Sequence, residues 1–361
     1  MRQLADIPRW CDDVTDSTGP ARFARRSLLV AAVLGRRDEP EHLHEAAAEG
    51  DPGASATSTL VYTVTGRILD VSPHVLVLRT ERGEQRFPLD PSAEAWRGGA
   101  VPAAALRQGD HAIVRRKRPG SPVIDRIWAQ AGRVTGTIIE REGPATLLVD
   151  EGPAKGRKIV IVAPEAAGRI QVRFPRLEPG FLIDVIGVKH DGYLSALIPA
   201  TSQPPYRAGH APAPPLVSGH VPDPVSGAAV WHEPGEEPDE LLGLAYPALD
   251  PETSCERAGA PQAACSGDLH AVDPHATGPG CIRLPYLSVG SMIRLRNDCA
   301  KLTRTLPVTG CGATARLFCD RCVTCGTSQK GRIADLTMAA FVELGGALET
   351  GCFNATMTIG G

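Results

Sequence analysis

Aromatic side chains are scarce in this chain, with 4 Trp, 5 Tyr and 7 Phe among 361 residues. So few rings leave little on which bases or sugars could stack. Long apolar runs are missing too, since none approaches the ~20 residues of a membrane-spanning helix. Charge of one sign is lacking: 38 Lys and Arg against 41 Asp and Glu leave a net of −3, which sets up no global field for nucleic acid. The local basic run Arg115–Arg118 reads as a solvated hairpin turn. Cysteine is almost absent from the first two thirds, because of 10 Cys only Cys11 lies outside the stretch from Cys255 to Cys352.

What is abundant is glycine and proline, 38 and 32 residues, which punctuate structure and weaken helices. With 42% hydrophobic residues over this length, the composition points to two or three mainly β domains rather than one core. Dense cysteine in a small β domain implies an oxidised, extracytoplasmic framework, each cross-link adding roughly 2–4 kcal/mol. The odd number between Cys255 and Cys352 leaves one thiol unpaired, or paired with Cys11 or another chain. An address for export is offered by Ala24–Leu34, whose Arg25-Arg26 pair and leucines resemble a twin-arginine signal, although Gly35-Arg36-Arg37-Asp38-Glu39 breaks the apolar run. The other reading of that segment is a short buried or amphipathic stretch.

Residues 1–58 show no periodic apolar face and read as a disordered arm. From 59 to 201 short Val, Ile and Leu runs alternate with turn residues, as strands do. This region is duplicated at a period of about 70 residues: Val64-Thr65-Gly66-Arg67-Ile68 recurs as Val134-Thr135-Gly136-Thr137-Ile138, and Leu106-Arg107-Gln108-Gly109-Asp110 as Leu177-Glu178-Pro179-Gly180-Phe181. Two tandem OB-like β-barrel modules are therefore expected, at 59–131 and 132–201. Their few aromatics (Trp96, Trp128, Phe174 and Tyr193) favour spacers or protein-contact units over ligand readers. Residues 202–240 are proline-punctuated and read as a semi-stiff linker holding the C-terminal part away.

Within 241–361, Leu284–Asn297, Cys319-Asp320-Arg321-Cys322-Val323-Thr324-Cys325 and Gly331–Phe341 resemble, in motif spacing, the double-psi β-barrel superfamily of rare lipoprotein A, expansin and barwin. The resemblance implies a cysteine-rich double-psi β-barrel with an open polysaccharide groove. It implies Asp320 as the candidate acid, Asp335 as the second carboxylate, and Tyr286, Asn297, Thr324 and Thr337 as groove contacts. The spacing of the family would put an acid near Gly310, where there is none. Either Thr303–Leu317 is an insertion and Asp320 takes the role, or the acid is lost and the barrel only binds.

Each residue also has a plainer reading. Asp335 before Leu336-Thr337-Met338-Ala339-Ala340-Phe341 suits a helix N-cap, and Asp320 suits an Asx turn. Cys299, Cys311, Cys319, Cys322, Cys325 and Cys352 suit disulfides, with zinc or an iron–sulfur cluster as the alternative. His270 and His275 read as surface loop residues. The expectation is a mainly β protein that contacts cell-wall polysaccharide or peptidoglycan outside the cytoplasm, without a cofactor. It would act as a non-hydrolytic binding or loosening module or, less so, as a lytic enzyme. The alternative is an intracellular assembly protein with a cysteine-ligated metal.

Overall fold

The computed structural model describes residues 62–118, 121–152, 155–202, 207–208, 224–233, 241–247, 249, 284–312, 318–319, 322 and 331–359. The expected arm at 1–58, with its twin-arginine-like phrase, lies outside them, as do Cys11, His270 and His275. The described chain is mainly β and forms three closed barrels.

The first barrel comprises β1 (Tyr62–Val71), β2 (Val75–Thr80), β3 (Gly83–Trp96), the short β4 (Ala100–Val101), β5 (His111–Arg116) and β6 (Ile124–Ala129). Its ring runs β1-β2-β3-β6-β5 and back to β1, with β4 appended to β3. Every pairing is antiparallel except β3 with β6. The second comprises β7 (Ala131–Glu142), β8 (Thr146–Asp150), β9 (Arg157–Val162), helix α1 (Pro164–Arg173), β10 (Leu182–Lys189) and β11 (Tyr193–Pro199). Its ring runs in the same sense, β7-β8-β9-β11-β10, and β9 and β11 are again the parallel pair.

The sequence duplication carries through to the register. β1 shifts against β2 between Ile68 and Asp70, and β7 against β8 between Ile138 and Glu140. Ile68 accepts from the Gly109 amide at 2.8 Å, and Ile138 from the Gly180 amide at 2.7 Å. A Cβ at Gly66 or Gly136 would collide with the carbonyl of Arg79 or Asp150 across the hairpin, so the close approach accounts for glycine in both copies.

The third barrel comprises β12 (Val225–His232), β13 (Leu244–Tyr246), β14 (Met292–Asn297), β15 (Thr303–Cys311), β16 (Arg332–Thr337), helix α2 (Met338–Glu343) and β17 (Cys352–Ile359). The ring runs β12-β16-β13-β15-β14-β17, with β12 parallel to β16 and β13 parallel to β15. β12 corrects the boundary expected at 241: it lies inside the stretch read as linker. Prolines 222, 224 and 234 flank Val225–His232 rather than interrupt it, which is where a buried strand tolerates them.

Nor is the third barrel held away. Trp96, Ile113 and Trp128 of the first barrel and Ile186 and Ala200 of the second belong to one apolar cluster with Trp231, Leu348 and Phe353 of the third. Each large side chain so buried contributes roughly 1.5–3 kcal/mol, which outweighs the freedom of a tether. β10 is buried on both faces from Leu182 to Val188, because its outer face meets the third barrel. Polar ties cross the same junctions: the Glu349 carboxylate accepts from Arg126 and from the Trp128 indole, and Glu343 Oε1 accepts from the Thr63 amide at 3.0 Å.

Candidate functional site

Among the expected site residues that are described, Asp335 is the carboxylate that faces an imidazole. It sits in β16 between β12 and β13, paired in register with Val230 on one side and Ala245 on the other. His232 ends β12, and its Nδ1 lies 3.1 Å from the Asp335 carbonyl and 3.3 Å from Asp335 Oδ1. Both oxygens can only accept, so Nδ1 carries the proton and donates to them. The two side chains are recessed but not sealed, at 9% exposed for His232 and 16% for Asp335.

Burial by itself would push the Asp335 carboxyl up. The positive charge and hydrogen bond of His232, with the charges of Lys155 and Arg133, overcome this and hold it well below the usual carboxylate range. Asp335 is therefore an anion at any physiological pH. It can accept from a hydroxyl or ammonium group or stabilise positive charge, but it has no proton to give.

The helix-cap reading of Asp335 is corrected two residues on. Thr337 is the N-cap of α2, its Oγ1 accepting from the Ala340 amide at 3.3 Å while donating to the Leu241 carbonyl at 2.5 Å. Thr337 is buried and committed to that corner rather than free to grip a ligand. Asn297 is buried as well: Nδ2 donates to the Leu344 carbonyl at 2.8 Å, and Oδ1 accepts from the Cys299 and Ala300 amides. It staples the turn after β14 to α2. Tyr286 is half-buried and packs against the third barrel's core. Asp320, Thr324 and Cys325 lie outside the described residues.

The first nine residues of Thr303–Leu317, the stretch read as an insertion, belong to the barrel itself. Thr303–Cys311 is β15, paired with β14 along Thr303–Pro307 and with β13 along Val308–Cys311. Gly310, where the family spacing calls for an acid, is part of the barrel wall and offers none.

Cys322 and Cys352 form a disulfide with Cα atoms 5.7 Å apart. It is buried with Ala228 and Val230 of β12, the strand that ends in His232. Cys299, Cys311 and Cys319 are also disulfide-bonded, and among the described residues no cysteine is free. These five sulfurs have no thiolate to offer a metal. Among the described residues no group of three or more His, Cys, Asp and Glu is placed to hold one, and no helix is long and apolar enough to cross a membrane. Comparison with known proteins finds no matching family model and no matching curated protein.

The second barrel brings further charge to this end of the third. Glu233, next to His232, accepts from the Arg133 amide at 2.9 Å and pairs with Lys189 at 3.0 Å. Glu151, after β8, accepts from the Thr135 amide at 3.2 Å. Burial, opposed by Lys155, pushes the Glu151 carboxyl up to about 7. A carboxyl raised in the folded state stabilises fully below its ordinary value of 4.5 and loses that contribution as pH rises through about 7. Glu151→Gln is therefore expected to remove a fall in stability on the order of 2–3 kcal/mol between those limits, read from urea midpoints across pH. An unchanged pH profile would show that Glu151 is well solvated.

His232, Arg133, Glu151 and Glu233 carry no local signature. The one available signal was that Val225–Trp231, read as a strand buried on both faces, would have placed His232 at a barrel rim.

Proposed function

We propose that this protein binds cell-wall polysaccharide or peptidoglycan outside the cytoplasm without hydrolysing it. The third barrel, of the double-psi type, carries the binding groove, and the two five-stranded barrels, of the OB type, carry the third. The observation that bears most weight is the Asp335–His232 dyad: a recessed anion on a barrel-wall strand, held ionised by an imidazole. Such a group grips hydroxyl or amino groups of a sugar but cannot act as the acid of a lytic step.

The double-psi reading is supported by two interleaved parallel pairs, β12 with β16 and β13 with β15, in a closed six-stranded ring with few helical residues. The OB reading is supported by two rings of like order, each containing one parallel pair. Carriage rather than ligand reading by these barrels follows from their aromatics. Trp96, Trp128 and Phe174 are 4%, 1% and 2% exposed, and Tyr193 stacks on His190 at 4.5 Å. Extracytoplasmic placement is supported by the disulfides.

The test is sedimentation of the oxidised, full-length chain with purified cell walls, because residues 241–361 alone lack β12. Wild type should co-sediment, Asp335→Asn should bind roughly tenfold more weakly, about 1.4 kcal/mol, and neither should release soluble fragments. Wild-type protein remaining in the supernatant at low salt would refute the reading, and fragment release lost in Asp335→Asn would refute its non-hydrolytic part.

A further inference from the structure

We infer that the second barrel is a working part of the His232–Asp335 site, with Glu233 and Arg332 as positioning residues that anchor to it the two strands carrying the dyad. The inference rests on the binding role proposed for that site. The dyad joins residues on two different strands, β12 and β16, and each strand has its own charged anchor in the second barrel close to the functional side chain.

On β12 the anchor is Glu233, the residue after His232. Its carboxylate is seated on the wall of the second barrel, one oxygen on the Arg133 amide and the other on Lys189. The seat is shaped by Gly132, where a Cβ would come within 2.6 Å of Glu233 Oε1 and 2.7 Å of Leu194 Cδ1. Glycine on this strand leaves room for the incoming carboxylate of the third barrel. On β16 the anchor is Arg332, three positions before Asp335. Its guanidinium donates to the fully buried Asp184 of β10 and stacks over Phe318 with 3.9 Å to the ring centre.

Arg133 links the two anchors. Its amide holds Glu233, while its side chain donates to Asp184 at 2.6 and 2.8 Å and to the Gly351 carbonyl at 2.6 Å. Gly351 directly precedes β17, which pairs with β12 from Val225 to Val230. Sliding either strand by an ångström would break these contacts as well as the His232–Asp335 hydrogen bond. A barrel alone can twist and breathe at its rim, whereas two strands tied to the same rigid neighbour keep a fixed offset.

Gly132→Ala tests this without removing any charged group near the dyad: Asp335, Glu233, Glu151, Arg133, Lys155 and Lys189 all remain. The atoms its methyl group meets first are the ends of two flexible side chains, so the chain should fold with a nearly unchanged thermal midpoint while Glu233 leaves its seat. The expected results, on full-length oxidised protein, are cell-wall binding weakened about 5- to 10-fold and a His232 titration midpoint, followed by NMR, displaced by about 0.5 pH. Wild-type values for both in a folded Gly132→Ala protein would overturn the inference. If that variant does not fold, Glu233→Ala empties the same seat from the other side, and unchanged binding there would overturn it equally. If wild type binds no cell wall, the binding role fails on its own, and the His232 titration still decides whether the second barrel positions the dyad.

Discussion

Asp184→Ala is expected to destabilise the protein by about 3–5 kcal/mol, a larger loss than for any other single polar substitution considered. Asp184 is fully buried on β10 and accepts from Arg133, from Arg332, from Thr135 Oγ1 at 2.9 Å and from Thr201 Oγ1 at 3.1 Å. Removing the carboxylate leaves two guanidinium groups in the interior with no anion between them, and the cost of an unpaired buried charge exceeds that of the pair itself. Because Arg133 belongs to the second barrel and Arg332 to the third, the same change loosens the junction. Denaturant unfolding should show a lower midpoint.

Acid gives an independent reading of the same group. Burial acts to raise the Asp184 carboxyl, but the two arginines and their hydrogen bonds prevail and hold it low. The stability it confers is therefore present above the ordinary carboxylate range and lost as pH falls through the depressed value. Asp184→Ala should flatten that acid limb. A cost below about 1 kcal/mol would mean that the cluster is hydrated and that other contacts join the second and third barrels.

The parts of this fold that were legible in the sequence are those whose cause is local. Val-, Ile- and Leu-rich runs bounded by glycine gave the strands of the first two barrels, and the repeated Val-Thr-Gly and Leu-x-x-Gly phrases matched a repeated register, down to the bulges after Ile68 and Ile138. Trp128, one of the few aromatics of the first two barrels, lies in the apolar core rather than at a surface. The errors lie where the cause is distant. Val225–His232 is strand because β16 and β17, more than a hundred residues later, pair with it, and the surrounding prolines hid it.

Asp335 looked like a helix cap because Asp before an apolar helical run usually is one. Here β16 stays extended through Thr337, gripped by β12 throughout and by β13 at Asp335 and Leu336, and so passes the cap to Thr337. Asn297 is a groove contact only by the family resemblance, and its amide is consumed locally, by the turn after β14 and by the Leu344 carbonyl. His232 and Asp335 are 103 positions apart, and no spacing rule joins them.

Converting both Cys322 and Cys352 to Ala is expected to cost about 3–4 kcal/mol and to weaken the cell-wall binding we propose along with it. The bond closes a separation of 30 residues, for which the loss of chain entropy in the unfolded state predicts a contribution of that size. Ala rather than Ser is the informative choice, because both sulfurs are buried among Ala228 and Val230, where a hydroxyl would lack a partner. The functional effect follows from register. Cys352 is paired with Val230 of β12, two residues before His232, so the cross-link ties the cysteine-rich segment to the strand that holds the imidazole. Dithiothreitol acting on wild type should lower the thermal midpoint at least as much, since Cys299, Cys311 and Cys319 are also disulfide-bonded. A reduced chain that keeps its midpoint and its cell-wall binding would show that the barrels need no cross-link. That outcome would remove the main physical support for placing the protein outside the cytoplasm while leaving the Asp335–His232 dyad intact.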